Sequence, residues 1–268
     1  MQDLSITLIQ SALHWRSSLA NQQQFEKAFK RINGKTDLVI LPEMFTTGFA
    51  MHPEGLSESI DGPTTQWLKT QAKRLDAAMM GSFIVQEEGN YFNRLVFIKP
   101  DGHMQYYDKK HLFRMAGENK QYQSGDKKLV VNYKGWNILP LICYDLRFPV
   151  WSRNRLVKEQ FEYDLMVVIA NWPKKRSHAW KTLLMARAIE NQAFVAGVNR
   201  IGSDDNGIAY SGDSMVIDPW GTPISVAPAN QQHIKTIAIS KKKLDEIRNN
   251  FAVSLDWDDF MIKATQRS

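Results

Sequence analysis

Three residues of this 268-residue chain have side chains suited to acyl chemistry, and each falls where a short apolar run stops. Cys143, the single cysteine, follows Ile138-Leu139-Pro140-Leu141-Ile142 and opens the polar turn Tyr144-Asp145-Leu146-Arg147-Phe148-Pro149. Glu43 comes directly after Asp37-Leu38-Val39-Ile40-Leu41-Pro42, and Lys109 follows the strand-like His103-Met104-Gln105-Tyr106-Tyr107. A thiol is largely protonated at neutral pH, so a nearby carboxylate can take its proton during attack. An ammonium can steady both the thiolate and the oxyanion formed on an attacked carbonyl. Such a trio suits acyl transfer through a thioester. Spacing alone does not bring the three together. A lone cysteine beside an apolar run is otherwise a core residue, a glutamate after a strand otherwise faces solvent, and Lys109-Lys110-His111 otherwise lies on a wet surface.

The elements that must position these residues alternate between strand and helix. Leu4 to Ile9 reads as a strand and Asn21 to Ile32 as a helix carrying Phe25, Phe29 and Ile32 on one side. Asp61-Gly62-Pro63 predicts a helix start, with a helix over Thr64 to Leu75. Ala77 to Val85 and Tyr91 to Ile98 form a hairpin across Glu88-Gly89-Asn90, and Pro100-Asp101-Gly102 turns the chain into the next strand, so the sheets are not purely parallel. Tyr163 to Ala170 is a buried strand that exits into Asn171-Trp172-Pro173, and His178 to Asn191 a helix leading into Ala193 to Val198. From Asn199 a Gly-, Asp- and Asn-rich loop follows. Strands at Ser214 to Asp218 and Ile234 to Ile239 and a helix at Lys241 to Asn250 close the pattern. No linker, charge block or repeat divides the chain, which reads as one α/β domain over residues 1–268.

Composition narrows the function classes. Thirty-four basic against 28 acidic residues give a net charge of +6, but the charges are interleaved, and Lys174-Lys175-Arg176 and Lys241-Lys242-Lys243 are too short for a phosphate track. No nucleic-acid partner is expected. One cysteine permits no intrachain disulfide. The opening Met-Gln-Asp-Leu-Ser lacks a basic segment followed by an apolar run. No apolar stretch approaches the roughly 20 residues of a spanning helix. A cytoplasmic protein without membrane contact is expected. The six histidines show no H-E-x-x-H spacing and no Gly-rich phosphate loop occurs, so neither a metal nor an organic cofactor is expected.

In order and context, Leu41-Pro42-Glu43-Met44-Phe45, Tyr107-Asp108-Lys109-Lys110-His111-Leu112-Phe113 and Cys143-Tyr144-Asp145-Leu146-Arg147-Phe148-Pro149 resemble the three signature motifs of the nitrilase, or carbon–nitrogen hydrolase, superfamily. Ala170-Asn171-Trp172-Pro173 and Arg187-Ala188-Ile189-Glu190-Asn191-Gln192 extend the likeness, which is strongest to the bacterial ω-amidase branch. The resemblance implies a four-layer αββα sandwich with two mixed β-sheets. It implies Glu43 as general base, Cys143 as nucleophile and Lys109, two residues before the motif histidine, as support for the tetrahedral intermediate. The Tyr144 N–H would complete the oxyanion hole, and Glu118 matches a second glutamate near the thiol. The substrate implied is a small ω-amido α-keto acid such as 2-oxoglutaramate. Alternatives are an amidase for deaminated glutathione, an N-carbamoyl hydrolase, a nitrilase, or a non-catalytic scaffold on the same fold. Arg114, Arg147, Lys174 and Arg176 are candidates to meet the substrate carboxylate, with Arg147 expected instead to brace its turn through Asp145 or a carbonyl. Phe45, Phe49, Phe113, Tyr144 and Trp172, together with Asn171, are candidates to line the pocket. A homodimer is expected, with the aromatic tail of about 251–268, carrying Trp257 and Phe260, packed at its interface.

Overall fold

The computed structural model describes residues 2–262. The first part of the chain forms β1 (Leu4–Gln10), α1 (Ser18–Phe29), β2 (Leu38–Ile40), α2 (Pro63–Leu75), β3 (Ala78–Glu87), β4 (Asn90–Ile98), β5 (Met104–Asp108) and the short α3 (Glu118–Gln121). The middle forms β6 (Val131–Tyr133), β7 (Trp136–Ile142), α4 (Pro149–Ser152), β8 (Leu156–Val157), β9 (Gln160–Phe161), β10 (Leu165–Ala170) and α5 (Ser177–Asn191). The remainder forms β11 (Phe194–Asn199), β12 (Ile201–Ser203), β13 (Ala209–Ser211), β14 (Met215–Ile217), β15 (Pro223–Val226), β16 (His233–Ile239) and α6 (Lys241–Asn250).

Two six-stranded mixed sheets result, in the orders β16-β1-β2-β3-β4-β5 and β15-β14-β11-β10-β7-β6. Each has a parallel trio at its centre, β1-β2-β3 and β7-β10-β11, with antiparallel strands outside it. The period-2 pattern explains the layering. Leu4, Ile6, Leu8, Leu38, Ile40, Met80, Leu95 and Phe97 face the second sheet in one core. The intervening Ile9, Val39, Met79, Val96 and Ile98 face Phe25 and Phe29 of α1 and Leu68 and Ala72 of α2 in another. On the far side, Trp180, Leu184 and Ala188 of α5 close the stack over the second sheet. The four-layer αββα sandwich expected from the motifs is therefore present.

Local chemistry sets several boundaries. The β3–β4 hairpin turns on Glu88 and Gly89, both at positive φ (49° and 79°), the geometry that matches the twist of two-residue hairpins. Pro140 is tolerated inside β7 because β6 pairs with it only as far as Ile138, so the missing N–H breaks no ladder bond on that side. Helix α1 covers 18–29 rather than 21–32, because Lys30 and Arg31 close its last turn and the chain then leaves through Gly34 at φ 78°. The loop expected after Asn199 contains the β12–β13 hairpin.

Candidate active site

The C-terminal ends of the two parallel trios face one another, and the chemistry-bearing residues collect there. Glu43 follows β2, and Cys143, Asn171 and Lys109 are the first residues beyond β7, β10 and β5. Glu43, Lys109 and Glu118 are fully buried. Lys109 Nζ lies 2.8 Å from Glu43 Oε1 and 3.0 Å from the Glu118 carboxylate. Spacing left open whether these groups meet; the fold brings them together.

Each carboxylate is held by more than the lysine. Glu43 Oε2 accepts the Asn171 backbone N–H at 2.7 Å, and Asn171 Nδ2 donates to the Glu43 carbonyl at 2.7 Å. Glu118 Oε2 accepts the Phe113 N–H at 2.6 Å. Asn93 donates through Nδ2 to Glu43 Oε1 at 2.8 Å and to Glu118 Oε1 at 3.4 Å. Asn93 carries no mark of this role in the sequence, since a polar position inside an alternating strand gives no distinguishing signal.

The backbone bends sharply at both ends of the site. Cys143 has φ 46° and Met44, beside Glu43, has φ 44°, a left-handed conformation that non-glycine residues adopt at a cost and that concentrates at functional positions. Met44 is fixed there by its N–H to Ser82 Oγ at 2.9 Å and by Phe45 N–H to Ser82 O at 3.0 Å. The bend at Cys143 starts the 3₁₀ turn Cys143–Arg147. Among the described residues, the Tyr144 N–H has no acceptor outside this turn. Asp145 anchors the turn by accepting from Tyr107 Oη (2.8 Å), the His111 N–H (2.9 Å) and the Ile142 N–H (3.1 Å). His111 stacks on Phe148 with ring centroids 3.8 Å apart and lies 2.8 Å from Asp145 through Nδ1. It ties the lysine segment to the cysteine turn.

Electrostatics follow from burial. Desolvation works against the Lys109 charge, but the adjacent Glu118 and Glu43 outweigh it and hold the ammonium above the ordinary lysine range. Burial, and then the Glu43 charge, push the Cys143 thiol well above the usual thiol range, with Lys109 opposing. Glu118 is raised by burial and by Glu43, against the pull of Lys109. The resting site thus holds a protonated thiol beside a charged lysine.

Cys143 opens into a cavity of about 330 Å³ whose lining includes Phe49, Phe113, Tyr144, Asn171 and Trp172. The Phe49 ring lies 5.0 Å from Lys109 Nζ, and Phe113 packs edge-on against Tyr144. Phe45 does not line it: the ring turns toward the helices and meets Phe25 at 5.7 Å. Arg114 is also outside, exposed on the 3₁₀ turn Arg114–Ala116, because that turn directs it away from the cavity wall. Lys174 is likewise exposed and not part of the lining. Arg147 does line the cavity, its guanidinium 4.8 Å from the Trp172 ring centroid. It does not brace the turn through Asp145, whose oxygens are already taken. Arg176 lies 5.3 Å from the Phe113 centroid on the same wall. Among the described residues neither arginine forms a salt bridge. Asp204, at the rim, is engaged on both oxygens, by the Asn206 and Ile208 N–H groups at 3.0 Å and by Tyr210 Oη at 2.8 Å.

The chain belongs to the carbon–nitrogen hydrolase family, whose description matches residues 6–249. It is an amide-hydrolysing enzyme of the nitrilase superfamily, as the motif resemblance implied. Among individual relatives, it is 45% identical to the omega-amidase YafV of Escherichia coli over 262 residues, covering 98% of this chain and 100% of that one. It is 30% identical to the 2-oxoglutaramate amidase of Bacillus subtilis, over 93% of this chain and 95% of the relative. In three dimensions it resembles XC1258 of Xanthomonas campestris, a CN-hydrolase superfamily protein with an arsenic adduct in the active site, at a TM-score of 0.95 and 47% identity over 98% and 100% of the two chains.

Proposed function

We propose that the protein hydrolyses the terminal amide of small ω-amido α-keto acids of the 2-oxoglutaramate kind, releasing ammonia and the corresponding acid. The observation that carries this reading is the buried Glu43–Lys109–Glu118 group standing behind Cys143 on one wall of a cavity whose other wall presents two unpaired guanidinium groups.

Cys143 Sγ attacks the amide carbonyl carbon as its proton passes to Glu43. The oxyanion forms against Lys109 Nζ and the Tyr144 N–H. Glu43 delivers the proton to the amide nitrogen, the C–N bond breaks, and ammonia leaves a thioester on Cys143. Water then attacks the thioester carbon, giving a proton to Glu43. The C–S bond breaks, the acid departs, and the thiolate recovers a proton from Glu43. Glu118 positions Lys109. Phe49, Phe113, Tyr144, Asn171 and Trp172 enclose the chain of the substrate, and Arg147 and Arg176 receive its carboxylate. Arg114, exposed and outside the lining, takes no part. Asp204, the carboxylate at the cavity rim, already accepts three hydrogen bonds, which weakens its hold on an α-ammonium and favours the keto acid over the corresponding amino acid.

The test is ammonia release from 2-oxoglutaramate beside L-glutamine, an N-carbamoyl amino acid, deaminated glutathione and a nitrile. Turnover of the keto acid amide with the highest kcat/KM is expected. Release that persists in C143A, or a preference for the nitrile, would overturn the reading.

The chain works as one domain, since the inter-sheet core draws on residues from Leu4 to Leu244. It pairs as a homodimer. The support lies in an exposed apolar patch where the Trp220 and Phe251 rings pack at a tilt, centroids 5.5 Å apart, both about half exposed, beside Ile189. Trp257 has a partner within the chain, packing edge-on against Phe161 at 5.5 Å under Arg153, so the patch centres on Phe251 rather than on Trp257. Residues 263–268 of the tail lie outside the described residues. Light scattering should give twice the chain mass for the wild type and the chain mass for F251D. A reactive thiol fits the reducing cytoplasm, and no helix among the described residues is long and apolar enough to cross a membrane.

A further inference from the structure

Asn93 is buried at 1% exposure in the strand next to the lysine. Arg94 and Asp108 are cross-strand partners on β4 and β5, and the pairing continues one step beyond, where the Lys109 N–H donates to the Asn93 carbonyl at 3.0 Å. Residues opposite one another across such a pair share a face. Asn93 and Lys109 therefore stand side by side, and they serve the same two acceptors. Glu43 Oε1 receives Lys109 Nζ and Asn93 Nδ2, each at 2.8 Å. Glu118 Oε1 receives the same two groups, at 3.0 and 3.4 Å.

We infer that Asn93 is a positioning residue for the reaction: its NH₂ group is a second donor between Glu43 and Glu118 that fixes both carboxylates around Lys109 without adding charge. The choice of an amide has a chemical reason. Two carboxylates and one ammonium leave a net negative charge when all are ionised, which keeps Glu43 able to accept a proton. A cation at position 93 would cancel that charge and weaken the base, whereas a carboxylate or an alkyl group would leave Glu43 Oε1 and Glu118 Oε1 with the lysine as their one shared donor. The other titratable groups facing the cluster include the Cys143 thiol, Tyr122, whose hydroxyl donates to the Ala50 carbonyl at 2.6 Å, and Tyr210, whose hydroxyl donates to Asp204 at 2.8 Å. Asn93 Oδ1 is buried and accepts no hydrogen bond among the described residues. An unmet buried acceptor destabilises a fold, so the position is occupied for what its NH₂ group does. This role rests on the proposed amidase mechanism.

The experiment uses N93D and N93L with two readouts. Steady-state kinetics on 2-oxoglutaramate should show kcat reduced about a hundredfold with KM within about threefold, the pattern of a lost transition-state interaction. The second readout needs no substrate. Cys143 is the only cysteine, so intact mass after iodoacetamide reports its alkylation without ambiguity. In N93D the added carboxylate should slow alkylation and move its pH profile to higher pH. A wild type inert toward amides would sink the proposed activity, while the alkylation profile would still decide the role of Asn93. A folded N93D with the wild-type alkylation profile, or a kinetic loss confined to KM, would overturn the inference. Should N93D not fold by circular dichroism, the smaller N93S, with its shorter donor, carries the same expectation in kcat, and a wild-type kcat or a loss confined to KM in N93S would overturn the inference.

Discussion

The two walls of the cavity are built on opposite terms. On the inner wall Glu43, Lys109 and Glu118 are fully buried and every charge is met by partners within the protein, including Asn93, Phe113 and Asn171. On the outer wall Arg147 and Arg176 lie over aromatic rings, and among the described residues neither forms a salt bridge. A group that must keep its position through the reaction is over-determined by contacts within the protein. A group that must recognise something else is left free to do so. Fixed chemistry and selective binding are thus separated in space, and substitutions should separate them in kinetics.

The sharpest break is at the thiol. C143A should lose about 10⁴-fold or more in kcat, because no other group nearby can form the acyl-enzyme, and ammonia release in a coupled assay measures it. Next on the inner wall, E43Q should cost about 10³-fold in kcat with little change in KM, the scale expected for a positioned general base. The outer wall should respond differently: R147A and R176A should each raise KM for 2-oxoglutaramate about ten- to a hundredfold while kcat stays near wild type, and neither should affect an uncharged amide of the same length. If either arginine substitution lowers kcat alone, the division between the walls fails.

The smallest effect concerns stability. Burial and Glu43 raise the Glu118 carboxyl above its ordinary value of 4.5, so the ionised form is held at a cost in the folded chain. The cost is fully present above the raised folded value, shrinks as pH falls, and vanishes below the value in the unfolded chain. E118Q keeps an acceptor but not the charge, so it should raise Tm by about 2 °C or more at pH 8, with a smaller gain at pH 5, in paired melting scans. A Tm that drops equally at both pH values would show that the charge, rather than its burial, stabilises the inner wall.

Much of this arrangement is legible in the chain. Continuous apolar runs mark β2, β7 and β10, and the polar residue that ends each run, Glu43, Cys143 or Asn171, enters the site because central parallel strands place their C-terminal ends together. The four expected helices lie within three residues of their expected starts, whereas the short α3 and α4 have no signal of their own. What was not legible depends on register and rotation. Asn93 differs from any other polar strand residue only through its pairing beside Lys109. Arg147 follows the cysteine by four positions, and nothing in that spacing reveals that Tyr107, His111 and Ile142 occupy Asp145 and leave the arginine to the cavity. The rim residues Asp204, Asn206, Ile208 and Tyr210 belong to the β12–β13 hairpin region, which a Gly-, Asp- and Asn-rich composition presents as plain loop. Met44 reaches positive φ without being a glycine, so composition gives no warning of its bend.

Lys109 leaves the sheet from β5, the outermost strand of its sheet, which is bonded on one side only. Arg94, almost wholly buried, secures that strand with two bonds to Asp108, at 2.7 and 2.9 Å, and is itself held to β3 by one to Glu87 at 2.8 Å. A border strand is the first part of a sheet to open, and its departure would carry off the lysine while both cores stayed intact. Heat should therefore silence the enzyme several degrees before the protein melts, with the guanidinium of Arg94 setting the width of that gap.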